Sequence, residues 1–152
     1  MAKAKGKPLD QMMPDIREAL EDGLEKAAYD ITWQLKRAGP YWSGFFESLW
    51  EVNPGRIEVK PDQQDASKTP PKPRPPVYTP VEVPDSPNLN GYTIGNRARY
   101  RLYAMDILPT PTGRQKGNAP NKTAPKNWFD TYVNTKMKTT VNKAFISVFK
   151  RY

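Results

Sequence analysis

The chain has 152 residues, with 24 Lys or Arg against 16 Asp or Glu, and contains neither cysteine nor histidine. That length suits one domain. The missing residue types exclude disulfides, thiolate nucleophiles, the usual zinc sites and every Ser-His or Cys-His triad, which argues against an enzyme and against a cofactor.

The prolines number 17, well above an average usage of about 5%, so part of the chain is expected not to fold on itself. No stretch approaches the roughly 18 apolar residues of a membrane span. The opening MAKAKGKPLDQMM is basic but lacks the apolar centre of a secretory signal. A cytosol-like compartment and no membrane partner are expected. Positive charge is concentrated late: residues 88–152 carry twelve basic residues against two acidic ones, while residues 1–60 carry nine against ten. Such a split suits a solvated face, docking onto an acidic neighbour, or nucleic-acid contact.

After a basic segment, 1–13, the stretch from Pro14 to Gly39 repeats Ile16, Leu20, Leu24, Ala27, Ala28, Ile31 and Leu35 at spacings of three and four. This is one stripe of an α-helix, expected to pack on a sheet. Pro14 suits a first turn, and Lys36-Arg37 suit a last one. Gly23 interrupts the helix at a cost of about 1 kcal/mol relative to Ala. Gly39-Pro40 ends it and leads into the aromatic run YWSGFFESLW, which is expected to be anchored either inside the fold or against a partner.

The next stretch alternates through Trp50 and Val52, turns at Asn53-Pro54-Gly55, and alternates again through Ile57 and Val59, which predicts a hairpin or strand pair. Residues 61–87 hold nine of the prolines and cannot lie in a central strand. They are expected to form an extended arm that reaches a neighbour through residues such as Pro73, Arg74 and Tyr78 and adds little to monomer folding. A strand then resumes at Tyr92 and runs on with Arg97, Arg99, Arg101 and Tyr103 sharing one face. Asp106 and Glu82 are isolated carboxylates without a paired acid. Beyond a second loop, Phe129, Val133, Met137, Val141, Phe145 and Val148 predict one C-terminal amphipathic helix. The fold class is α+β: a single domain over 14–152, with long N-terminal and C-terminal helices on a small, mainly antiparallel sheet, interrupted by the 61–87 arm.

The order of Pro40, Ser43, Gly44, Ser48 and Trp50 after a long helix, then Ile94-Gly95-Asn96, Ala98, Tyr100 and Asp106, then Pro125 ahead of Trp128 and Phe129, resembles the tail-completion and tail-terminator proteins of long-tailed bacteriophages. The resemblance implies a structural virion protein made in the host cytoplasm, with Phe46 and Trp50 in the core and Trp42 and Phe45 at a subunit contact. It would form a ring of its own copies, a hexamer by analogy, at the neck or tail end. It would contact the head-connector and tail-tube proteins and let DNA pass through its lumen without specific binding. The alternative is a nucleic-acid-binding protein using Arg97, Arg99 and Arg101 with Tyr100 and Tyr103.

Overall fold

The computed structural model describes residues 6, 8–41, 44–62, 75–107 and 124–151. Helix α1 spans Leu9–Ala38, about 45 Å at 1.5 Å per residue. It starts before Pro14, within the segment expected to precede the domain, because the Pro8 carbonyl accepts from the amides of Gln11 and Met12. Pro14 therefore lies inside the helix, in turns that are exposed to solvent.

The chain then passes through the one-turn helix α2, Phe45–Ser48, into strand β1, Trp50–Pro54. Its antiparallel partner is β2, Tyr92–Asn96, paired from Trp50 opposite Asn96 to Pro54 opposite Tyr92. The hairpin expected around Asn53-Pro54-Gly55 does not form with residues 57–59. Gly55, at φ 62°, donates its amide to the Gly91 carbonyl at 2.8 Å, and the chain leaves the sheet. Ile57 is exposed, and Val59 instead lies over the face of β2, where a Cβ on Gly95 would come within 2.7 Å of the Val59 Cβ. The bare backbone of Gly95 is what admits Val59 there.

Beyond β2 come the one-turn helix α3, Arg101–Ala104, and two C-terminal helices, α4, Trp128–Thr135, and α5, Met137–Phe149. The single C-terminal helix expected from the sequence is thus divided at Lys136, next to Thr135, whose hydroxyl back-bonds to the Thr131 carbonyl, a contact that bends helices. The deepest positions are Trp128, Tyr132, Thr140 and Ala144, one step around from the expected stripe, together with Val148, which lies on it. Phe129, Val133, Met137 and Val141 pack at the margin of the core.

The fold is α+β, with a long N-terminal helix and C-terminal helices around a two-stranded antiparallel sheet. The core joins Ile31 and Leu35 of α1 to Phe46, Trp50, Ala98, Met105, Trp128 and Tyr132. The most extensive partner of α1 is α5 rather than the sheet, and small residues account for this. Ala19, Gly23 and Ala27 are buried on α1 and Ala144 on α5, whereas Leu20 and Leu24 are only half-buried. The Phe145 ring sits where a Cβ on Gly23 would project. Deeper along the same seam, Gln34 Oε1 accepts from Tyr132 Oη at 2.7 Å and Thr140 Oγ1 at 2.8 Å, tying α1 to both C-terminal helices.

Gly23→Ala should therefore lower stability in urea unfolding, because overpacking costs about 1–3 kcal/mol against a helix-propensity gain of about 1 kcal/mol. Adding Phe145→Leu should recover part of the loss. A more stable Gly23→Ala protein would contradict the close seam.

Candidate assembly interface

The aromatic turn is held from three directions. Gly44 takes up φ 91°, a left-handed conformation that a side chain disfavours, and so turns the chain into α2. Phe46 and Trp50 are both buried, as the sequence suggests, with ring centroids 5.9 Å apart and nearly perpendicular. Between them, in a run of large apolar side chains, lies Glu47 with its side chain 1% exposed, and beside it Lys36 of α1 at 2%. Two such charges are costly to bury unless paired and fully hydrogen-bonded.

The arm supplies most of that hydrogen bonding. Lys36 Nζ donates to Glu47 Oε1 at 3.2 Å, to the Thr79 carbonyl at 3.2 Å and to Thr79 Oγ1 at 2.6 Å, using all three ammonium protons. Glu47 Oε1 also accepts from the Thr79 amide at 2.7 Å and hydroxyl at 2.9 Å. Its other oxygen, Oε2, is buried with no hydrogen bond from any described residue.

Two further contacts clasp the same stretch of arm. Tyr41 Oη donates to the Val77 carbonyl at 3.0 Å and accepts from the Val77 amide at 3.2 Å. The Tyr78 ring meets Trp33 and Tyr41 edge-on, with centroids at 6.2 and 5.7 Å, and Arg37 lies over both Trp33 and Tyr78 at 5.4 and 5.8 Å. Residues 77–79 of the arm are thus bound by their own chain, which corrects the expectation that the arm adds little to the monomer. Tyr78, expected at a subunit contact, is half-buried in this clasp. Pro73, Arg74 and Trp42 lie outside the described residues.

The expected arginine-bearing strand face is not formed. Asn96 is almost wholly buried; its Nδ2 donates to the Phe46 carbonyl and its Oδ1 accepts from the Ala98 amide, both at 2.9 Å. By capturing the Ala98 amide the side chain ends β2, and the chain turns into α3. Arg97 points to the start of the arm, where its guanidinium makes a two-pronged contact with Asp62 at 2.6–2.9 Å and approaches Glu51 at 3.3 Å. The bond to Arg97 holds the Asp62 carboxyl below its ordinary value. Arg99 is exposed and Arg101 half-buried, on a turn and a helix rather than beside Arg97 on a strand.

What the turn creates instead is an aromatic patch. Phe45 stacks on Tyr100 with centroids 6.4 Å apart, and Tyr100, Tyr103 and Ile107 are 38%, 39% and 42% exposed. Phe45, Arg99, Arg101 and Tyr103 are therefore brought to one region, though not by the geometry expected. Asp106 accepts from the Asn127 amide at 2.6 Å, which joins the end of the α3 region to the start of α4.

Sequence reasoning passed over Lys36, Glu47, Thr79 and Tyr41 as a set. The available signal was Glu47 itself, a lone carboxylate within FFESLW, next to Phe46 and three residues before Trp50. Among the described residues no helix is long and apolar enough to cross a membrane. Comparison of the chain with protein-family models, with curated proteins and with solved structures finds no match.

Thr79→Val should destabilise the protein by about 1–3 kcal/mol, the cost of leaving buried polar groups short of partners. It should also open the arm near residue 79 to protease while α1 stays helical, read by limited proteolysis and circular dichroism. Unchanged stability and cleavage would mean that the arm does not close the ion pair.

In an NMR titration, Asp62 should ionise below the ordinary aspartate range and return to it in Arg97→Ala. Because the folded value is depressed, the contribution of this contact is present above the unfolded pKa and is lost as pH falls through the folded one. A normal Asp62 titration would remove the contact in solution.

Proposed function

We propose that the chain is a structural virion component of a tailed bacteriophage. It forms a homo-oligomeric ring at the neck or tail end that completes or terminates the tail and joins it to the head connector. The observation that carries the reading is the meeting of the motif residues in space. Pro40 and Gly44 bound the helix-to-strand turn, Trp50 enters the core, and Asn96 fastens the end of β2 to that turn through the Phe46 carbonyl. These are the positions on which the sequence resemblance rests, and they form one connected structural unit.

Charge supports a head-to-tail ring. The N-terminal half of α1 carries Asp10, Asp15, Glu18, Glu21, Asp22 and Glu25, while α5 and the residues flanking it carry Lys136, Lys138, Lys143, Lys150 and Arg151. In a closed ring of heterologous contacts, one face of each copy meets a different face of the next. Tyr100 and Tyr103, with the half-buried Phe45 stacked on Tyr100, supply aromatic anchors of the kind that dominate interface energy. The protein acts by shape and contact; DNA passes through the ring without sequence-specific binding.

Mass photometry of the purified protein should give one discrete species at a multiple of the 17.3 kDa subunit mass, ring-shaped in negative stain. Tyr100→Ser combined with Tyr103→Ser should shift it toward monomer without loss of helicity. A protein monomeric at every concentration, alone and with tail tubes, would overturn the proposal. Salt-sensitive submicromolar binding to duplex DNA would favour the nucleic-acid reading in its place.

A further inference from the structure

Helices α1 and α5 run antiparallel, since Gln34 meets Thr140 toward one end of their seam and Gly23 meets Phe145 toward the other. From Phe145 only four residues of α5 remain, to Phe149, about 6 Å of helix, whereas α1 continues for fourteen beyond Gly23, back to Leu9, about 21 Å. The first turns of α1 therefore overhang α5 by about 15 Å. This overhang is not polar all round. Leu9, Met12, Met13 and Ile16 recur at spacings of three and four and lead into Ala19 and Gly23, the buried face of the helix. Leu9, Met12 and Met13 are 69%, 40% and 54% exposed, and Ile16 is half-buried. A contiguous apolar stripe left open in this way marks a contact surface.

A second opening lies on the outer face of α5. Ile146 and Phe149 are 55% and 43% exposed there, on the side away from the buried Ala144 and Val148. Lys143 and Lys150 stand three residues before and four after Ile146, so they flank it on the same helix face. The two surfaces carry opposite charge. Residues 9–25 hold six acidic side chains against Arg17 alone, and residues 136–151 hold five basic ones and no acid. Pairing two overhangs would set acid beside acid. Laying an overhang on the outer face of α5 sets acid beside base and covers both apolar surfaces at once.

We infer that the first turns of α1 in one copy dock on the Ile146 and Phe149 face of α5 in a second copy. The second copy's α5 takes the place that a longer α5 of the same chain would occupy beyond Phe149. Met12 and Met13, unbranched and adaptable, suit packing on a surface that carries only two apolar side chains. Because the docking surfaces are different parts of the chain, each copy offers one overhang and receives another. This deepens the ring reading and rests on it for the second copy.

A chain without cysteine makes the contact readable by introduced thiols. Met13→Cys and Ile146→Cys, prepared as separate full-length chains, should give a cross-linked dimer when mixed and treated with a short bismaleimide, and neither should do so alone. Lys150→Glu combined with Arg151→Glu should raise the concentration needed for assembly about tenfold with helicity unchanged. Dimers formed by Met13→Cys alone overturn the docking in favour of paired overhangs. Rings of the unaltered chain, with no link between positions 13 and 146, overturn the docking and leave the ring reading standing. A link formed at high concentration without rings has the opposite meaning: the docking holds and the ring falls. Binding to phosphatidylglycerol vesicles that Leu9→Asp with Met13→Asp abolishes, again with no link, makes the overhang a membrane contact and overturns the second copy as its partner.

Discussion

The ion pair between Lys36 and Glu47 is the constraint on which the rest of the arrangement depends. An ammonium and a carboxylate are withdrawn from water at the point where the end of α1, the one-turn α2 and the start of β1 converge. Each ion costs several kcal/mol to desolvate, and mutual attraction offsets this only when the remaining hydrogen-bonding capacity is met. Neither α1 nor the aromatic turn can meet it. The groups that meet most of it, the amide, hydroxyl and carbonyl of Thr79, arrive from the far side of a long proline-rich segment and leave Glu47 Oε2 without a bond from any described residue. Folding the local aromatic unit therefore requires placing a residue more than thirty positions away.

That dependence gives the prolines a purpose within the monomer. A segment with fixed φ at many positions loses less conformational freedom when it is laid down. It also cannot add itself as a regular strand to the β1 edge, because Pro80 and Pro84 have no amide to donate. The arm consequently crosses beside the sheet without joining its ladder.

Much of the framework was legible in the sequence. The three- and four-residue spacing of α1, the break at Gly39-Pro40 and the α+β class follow from local pattern and turn chemistry, while the burial of Phe46 and Trp50 is what the family resemblance implies. What local pattern does not contain is the choice of partner. Ile57 and Val59 have the alternation of a strand, yet Gly95 offers Val59 a place on the face of β2 and the edge pairing is lost. Arg97, Arg99 and Arg101 also alternate, but beyond the Arg97 amide's bond to Leu49 the facing strand gives way to α2, and the Asn96 side chain holds the Ala98 amide in a turn. Small residues on α1 let α5 approach closely enough to replace the sheet as its main neighbour. For Val59 and for α1 a non-local contact overrides the local pattern, and at Asn96 a side chain two residues away does so. Glu47 belongs to the same class, since its burial is intelligible only with Lys36 and Thr79 in view.

The most direct test of this account is a double-mutant cycle on the ion pair, with Lys36→Met and Glu47→Leu measured singly and together by chemical denaturation. Each single change strands a buried charge and should cost about 3–5 kcal/mol, whereas the double variant should be far less destabilised than the two singles combined. Single and double effects that simply add, or single changes that cost nothing, would mean that Lys36 and Glu47 are not joined in the folded protein.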